Sequence, residues 1–230
     1  MNPRCPTGIK GFDESCSGGL IRNSITSIVG GPGAGKSIVL LEFLYNGAIQ
    51  YKENGMYVSF EQEASEIYAD VAQFGWDLPK LEGKGQFIPV KLPVSADVPI
   101  LKAELTKLVT KYEIKRICFD PINLFLTREN DPGKVRTILY DLFALLKRLN
   151  VTVLISQEDG FMDSGGNQED PKDHYIRFLA DAYIEFHSSG LGGVADRALR
   201  IVKMRRTSHS RGPIPMEITS SGMNVIKSKR

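Results

Sequence analysis

Between residues 25 and 48 an apolar run, a glycine-rich bend and a stretch of helical apolar spacing follow one another directly. The run is Ile25-Thr26-Ser27-Ile28-Val29, the bend is Gly30-Gly31-Pro32-Gly33-Ala34-Gly35-Lys36-Ser37, and the periodic stretch extends from Ile38 to Ala48. Strand, glycine loop, helix is the order that opens a βαβ unit, and the bend fits the pattern G-x-x-x-x-G-K-[ST]. Small or rigid residues from Gly30 to Gly35 let backbone N–H groups converge on phosphate oxygens, and the helix N-terminus adds the positive end of its dipole. Lys36 supplies a point charge to the outer phosphates, and the Ser37 hydroxyl can ligate Mg²⁺. A glycine-rich turn with an incidental lysine requires neither the strand before it nor the helix after it, so the pattern points to a nucleotide site.

The alternation continues along the chain. Strand candidates are residues 25–29, 56–60, 86–90, 116–120 and 151–156, and helix candidates are 36–50, 65–74, 98–112 and 132–149. Repeated βαβ units predict an α/β fold, a mainly parallel twisted sheet with helices on both faces. After about residue 182 the pattern changes to strand-like pieces at 182–186, 197–204, 215–219 and 223–226. These are expected to be antiparallel strands added near the C-terminus, joined through glycine- and serine-rich turns. No repeat, low-complexity tract or linker interrupts residues 1–230, so one domain is expected.

Composition narrows the setting. A net charge of +2 gives no general argument for a nucleic-acid or membrane partner. The three cysteines, Cys5, Cys16 and Cys118, are odd in number and lack metal-like spacing, and Cys118 sits in an apolar strand pattern as a small core residue. Residues 1–11 lack the apolar region of a signal peptide, and no window approaches the length needed to cross a bilayer, so a reducing, cytoplasmic setting without membrane is expected.

Ligands of open parallel sheets bind beyond the carboxyl ends of the strands, and two further strand candidates end there in acids. Arg116-Ile117-Cys118-Phe119-Asp120 places Asp120 where it can support a Mg²⁺ held by nucleotide and Ser37, although Asp120-Pro121 also reads as a turn start. Tyr57-Val58-Ser59-Phe60-Glu61-Gln62-Glu63 is the other. Continued extended geometry would put Glu61 and Glu63 on one face, with Glu61 orienting or deprotonating the attacking water and Glu63 capping a helix. From Glu158 to Asp173 there are six carboxylates and one cation, Lys172; the stretch 160–173 is expected to be a mobile loop whose sign repels a phosphate backbone. Arg197, Arg200, Lys203, Arg205, Arg206 and Arg211 crowd fifteen residues. On a strand Lys203 and Arg205 share a side. A solvated edge strand, a nucleic-acid track and a pair of cations reaching a neighbouring subunit's phosphate all fit that pattern.

Several segments occur together in a telling order: Thr7-Gly8-Ile9-Lys10-Gly11-Phe12-Asp13, Gly18-Gly19-Leu20, the phosphate loop, Glu42-Phe43-Leu44-Tyr45-Asn46-Gly47, Phe60-Glu61, Phe74-Gly75-Trp76-Asp77-Leu78, and Lys203-Met204-Arg205-Arg206-Thr207-Ser208-His209. Over nearly its whole length the chain resembles a single KaiC-type domain of the RecA-like ATPase superfamily. The phosphate loop is widely shared; the opening segment, the Phe-Gly-Trp-Asp-Leu run and the last stretch are far more specific to that group. The resemblance implies a RecA-like P-loop NTPase fold and a homo-oligomeric ring, usually a hexamer, with ATP clamped between neighbours. It implies that Lys203 and Arg205 act in trans on the γ-phosphate, with Thr207 or His209 contacting nucleotide less directly. A cation supplied across an interface couples hydrolysis to assembly.

Two departures limit the transfer. KaiC-type domains usually carry adjacent glutamates where this chain has Glu61-Gln62, and Gln62 cannot accept the water's proton. Either turnover is slow or Glu61 suffices. The clock members of the family resemble two such domains in tandem, and their autokinase half presents a Ser-Thr pair before an aspartate. If that aspartate matches Asp181, the positions here are Arg177 and Phe178, neither of which accepts a phosphoryl group. The first expectation is a Mg²⁺-dependent ATPase of KaiC type, with ATP and Mg²⁺ as cofactors and room for a protein partner. A DNA-binding recombination accessory ATPase of RadA type and an ATP-binding scaffold with little hydrolysis are the alternatives.

Overall fold

The computed structural model describes residues 3–94, 97–127, 129–158, 171–190 and 196–226. A two-stranded antiparallel ribbon, β1 (Arg4–Cys5) with β2 (Leu20–Ile21), encloses the short helix α1 (Phe12–Ser15). The main sheet begins with β3 (Ile25–Gly30), followed by α2 (Lys36–Tyr51), β4 (Gly55–Ser59), α3 (Ala64–Ala72), α4 (Leu78–Gly83) and β5 (Phe87–Lys91). Then come α5 (Val98–Lys111), β6 (Arg116–Asp120), α6 (Ile122–Phe125), α7 (Pro132–Arg148), β7 (Thr152–Glu158) and α8 (Pro171–Leu179). The chain finishes with β8 (Ala182–Ser188), β9 (Arg197–Met204), β10 (Pro213–Thr219) and β11 (Gly222–Val225).

Nine strands pair in the order β11-β10-β9-β8-β3-β7-β6-β4-β5. The six from β8 to β5 are parallel, and β9, β10 and β11 extend the sheet antiparallel. The change of direction therefore falls one strand later than the sequence pattern suggested, because β8 pairs parallel to β3 and antiparallel to β9. Of the expected mobile loop, residues 160–170 lie outside the described residues; Pro171 already starts α8.

Each face of the sheet has its own apolar layer. On one, Leu40, Phe43 and Leu44 of α2 pack with Tyr57, Cys118, Phe186 and Leu199; on the other, Leu101 and Leu105 of α5 and Leu139 and Leu142 of α7 pack with Val58, Phe119, Val153 and Ile155. Strand residues alternate between the layers, which is why near-continuous apolar runs form these central strands. Helix α7 shows the local logic. Asp131 accepts from the N–H groups of Gly133 (2.8 Å) and Lys134 (3.3 Å), Pro132 occupies the first turn, and Lys147 and Arg148 close the last one. Its buried residues Val135, Leu139, Leu142, Phe143 and Leu146 form one stripe.

The C-terminal hairpin is tied to α2 by a buried acid. Glu42 accepts from the Met223 N–H at 2.7 Å, and burial pushes its carboxyl up to about 7 from the ordinary 4.5. A raised carboxyl pKa stabilises the fold fully below 4.5, and that contribution is lost as pH rises through 7, a change of about 3 kcal/mol. Glu42→Gln keeps an acceptor for Met223 and cannot ionise. It is expected to flatten the wild-type loss of stability between pH 5 and pH 8, read as the difference between the two proteins' denaturation midpoints.

Candidate functional site

The glycine bend leaves β3 and enters α2 through left-handed backbone. Gly35 caps α2 with φ of 94°, a left-handed conformation that favours glycine. Lys36 Nζ donates to the carbonyls of Gly30 (2.7 Å) and Gly31 (3.0 Å), which holds the ammonium inside the curve of the bend. Ser37 follows in the first turn of α2.

Strand register brings the acids to the same rim. Gly30 pairs with Glu158, and Ser59 pairs with Asp120 and with Lys91, so the ends of β3, β7, β6, β4 and β5 lie along one edge. Lys36, Ser37, Ser59, Glu61, Gln62, Asp120, Pro121 and Glu158 line a cavity of about 210 Å³ there. Asp120 is buried and accepts the hydroxyl protons of Tyr57 on Oδ2 and Ser156 on Oδ1. Asn123 of α6 clamps the backbone of Glu158: its Oδ1 accepts from the Glu158 N–H at 3.0 Å and its Nδ2 donates to the carbonyl at 3.5 Å.

The extended continuation expected after β4 does not form. Ser59 Oγ accepts from the N–H groups of Glu61 (3.2 Å) and Gln62 (2.8 Å), turning the chain at the strand end. Glu61 is carried to the cavity on that turn, while Glu63 takes the N-cap of α3, where Glu66 accepts from its N–H at 2.7 Å. Gln62 Nε2 donates to Asp70 at 2.8 Å. Burial, then Glu158, then Asp120 raise the Glu61 pKa; Lys91, which donates to the Glu61 carbonyl and pairs with Glu63 at 3.0 Å, opposes the rise.

The donor set suits a hard cation shared with phosphate. A serine hydroxyl and a carboxylate face one cavity, and no group of three His, Cys, Asp or Glu side chains able to hold a metal by itself occurs among the described residues. Mg²⁺ commonly keeps several waters and takes one or two protein oxygens plus phosphates.

Lys203 and Arg205 are elsewhere. Met204 pairs with Ala182, which pairs with Thr26, so the end of β9 lies at the rim where β3 starts. Roughly 17 Å of strand separates that rim from Gly30, given about 3.3 Å per residue over β3. Lys203 Nζ donates to the carbonyls of Arg177 (3.0 Å), Phe178 (3.0 Å) and Ala180 (2.6 Å) around the end of α8; burial first, then Arg205, lowers its pKa. Arg205 lies beyond the strand, in a turn, and donates to the Phe178 carbonyl at 3.0 Å. The shared strand face expected for the two cations is therefore replaced by a shared helix end. Other members of the basic stretch meet acids: Arg197 with Asp196 (3.6 Å), Arg200 with Glu185 (3.9 Å) and Arg206 with Asp181 (3.8 Å).

Sequence reasoning missed three residues of this region. Glu158 was counted with an acidic loop, although it stands two residues after a strand candidate, the same signal that marks Asp120. Tyr57 and Ser156 gave no signal beyond lying in apolar runs.

Comparison with known proteins agrees with the fold and the bend. The family described as ATPase: KaiC matches residues 5–230. The circadian clock oscillator protein KaiC of Parathermosynechococcus lividus is 31% identical over 237 residues, which cover 97% of this chain and 42% of that protein. The chain thus spans less than half of that relative. A UPF0273 protein of Thermotoga maritima is 32% identical over 251 residues, covering 100% of this chain and 98% of the other. The crystal structure of a KaiC-like protein from Pyrococcus horikoshii OT3 superposes with a TM-score of 0.84 at 28% identity, covering 99% of this chain and 100% of that one. By its sequence, its sheet order and its glycine bend, this chain belongs to the KaiC ATPase family and has the RecA-like P-loop fold.

Proposed function

We propose that the chain is a Mg²⁺-dependent ATPase, acting as one KaiC-type unit in a nucleotide-gated homo-oligomer, a ring of six. One observation carries the reading: Lys36, Ser37, Glu61, Asp120 and Glu158 converge on one cavity, while Lys203 and Arg205 stand on the opposite rim. Backbone N–H groups from Gly30 to Gly35 and the α2 N-terminus receive the phosphates, and Lys36 exchanges its loop carbonyls for the outer phosphates. Ser37 and Asp120 hold the cation, which when bound neutralises charge on the phosphates. Glu61 orients a water for in-line attack and takes its proton.

Lys203 and Arg205 serve a neighbour in this scheme, because they lie too far from their own cavity. A head-to-tail contact between copies juxtaposes the two rims, and such contacts close into rings. The acids paired with Arg197, Arg200 and Arg206 speak against a DNA track, since those cations already have partners within the chain. No helix among the described residues is long and apolar enough to cross a membrane, and the buried thiols Cys5, Cys16 and Cys118 support a reducing, cytoplasmic setting.

Lys36→Ala removes a charge-assisted contact and is expected to weaken ATP binding by about ten- to a hundredfold, measured by calorimetry. Undiminished affinity would exclude the bend as the phosphate site. Light scattering with and without Mg·ATP reports the oligomer, and a particle mass indifferent to nucleotide would overturn the gating.

A further inference from the structure

Tyr57 is a fully buried phenol to which the scheme above gives no part. It sits in the middle of β4, opposite Cys118 of β6, and its ring belongs to the apolar layer that includes Leu40 of α2 and Phe87 of β5. A phenylalanine would fill that layer equally well. The hydroxyl is what packing leaves unexplained, since burying one is costly unless it is hydrogen bonded.

The partner of the hydroxyl belongs to the cavity. It donates to Oδ2 of Asp120. An ionised carboxylate only accepts, so the phenol proton is committed to Asp120. On its other oxygen Asp120 accepts from Ser156, and two donors on two oxygens fix the carboxylate plane.

We propose that Tyr57 is a positioning residue for the divalent cation, its hydroxyl turning the Asp120 carboxylate toward the place where Mg²⁺ meets nucleotide. This rests on reading the cavity as a Mg·ATP site. With phenylalanine at position 57, one side of Asp120 loses its anchor and the carboxylate is free to turn away from the cation.

The test uses the full chain with a non-hydrolysable ATP analogue at saturation, Mn²⁺ as the probe, and electron paramagnetic resonance to count bound ion. Tyr57→Phe is expected to weaken Mn²⁺ binding by about ten- to a hundredfold, while analogue affinity in EDTA stays within about twofold of wild type. Ser156→Ala, which removes the donor on the other oxygen of Asp120, is expected to weaken Mn²⁺ binding in the same sense. Unchanged Mn²⁺ affinity in Tyr57→Phe overturns the inference. So does an equal loss of metal-free analogue binding, which would make Tyr57 a general support of the fold. If the wild-type protein binds the analogue with no dependence on Mn²⁺, the reading of the cavity fails with it; a metal dependence preserved in Tyr57→Phe sinks the inference alone.

Discussion

Glu61→Gln is expected to lower ATP turnover by about 10²- to 10⁴-fold while ATP affinity changes by less than about threefold. Glutamine keeps the size of glutamate and one acceptor oxygen, but it cannot take a proton from an attacking water. The turn that Ser59 builds after β4 delivers Glu61 to the cavity beside Asp120 and Glu158. Burial and those two acids raise its pKa, which makes it a stronger base than an exposed glutamate. The ionised form is the active one. The free-enzyme limb of kcat/KM therefore falls as pH drops through a pKa above the ordinary 4.5, and Lys91→Ala, which removes the charge that lowers this pKa, moves that limb to higher pH. Phosphate release measured across pH, beside calorimetric ATP affinity, checks both points. A Glu61→Gln protein that hydrolyses ATP at the wild-type rate would take Glu61 out of the chemistry and leave Glu158 as the acid at the rim. Gln62 is held on Asp70, so the burden of activating water falls on Glu61 alone in that pair.

The parts of this site that could be read in the sequence are those whose chemistry is local. The glycine bend works through its own backbone, and its spacing alone requires the strand before it and the helix after it. Asp120 could be placed because an apolar run of strand length ends on it, and parallel pairing through β7 then carries it to the same rim as Gly30. Glu61 could be named for the same reason, but its route to the cavity depends on one serine hydroxyl oxygen that accepts two backbone N–H groups, which no periodicity encodes. Tyr57 was hidden for a different reason: a buried aromatic in a strand looks like core, and only the third dimension reveals that its hydroxyl donates to Asp120. Helix α8 was obscured by the Gly-, Asp- and Asn-rich residues before it, and its end, which holds Lys203 and Arg205, could not be anticipated from a strand pattern. The direction of β8 was misjudged because its run, buried at Ala182, Tyr183, Ile184 and Phe186, carries no mark of whether a neighbour runs parallel or antiparallel.

Arg205→Ala is expected to lower turnover by about 10³-fold or more, the range lost when a phosphate-directed arginine is removed, with subunit stability nearly unchanged. The side chain is exposed and makes one hydrogen bond, to the Phe178 carbonyl, so little of the fold depends on it. Lys203 is less suited to this test, because its three carbonyl contacts hold the end of α8 and its loss would disturb packing as well as charge. The sheet places Arg205 on the rim opposite the cavity, which makes a trans role decidable by mixing. In the proposed ring a productive site needs Glu61 from one copy and Arg205 from the next. Arg205→Ala and Glu61→Gln subunits are each inactive alone in this scheme, yet an Arg205→Ala subunit followed by a Glu61→Gln subunit assembles an intact site between them. Random assembly from equal amounts gives that neighbour order at about a quarter of the interfaces, so about a quarter of wild-type phosphate release should return. The recovered rate should peak at equal proportions and vanish at either extreme. A mixture that never exceeds the sum of its two components would mean that Arg205 caps α8 in its own subunit and reaches no neighbour's phosphate.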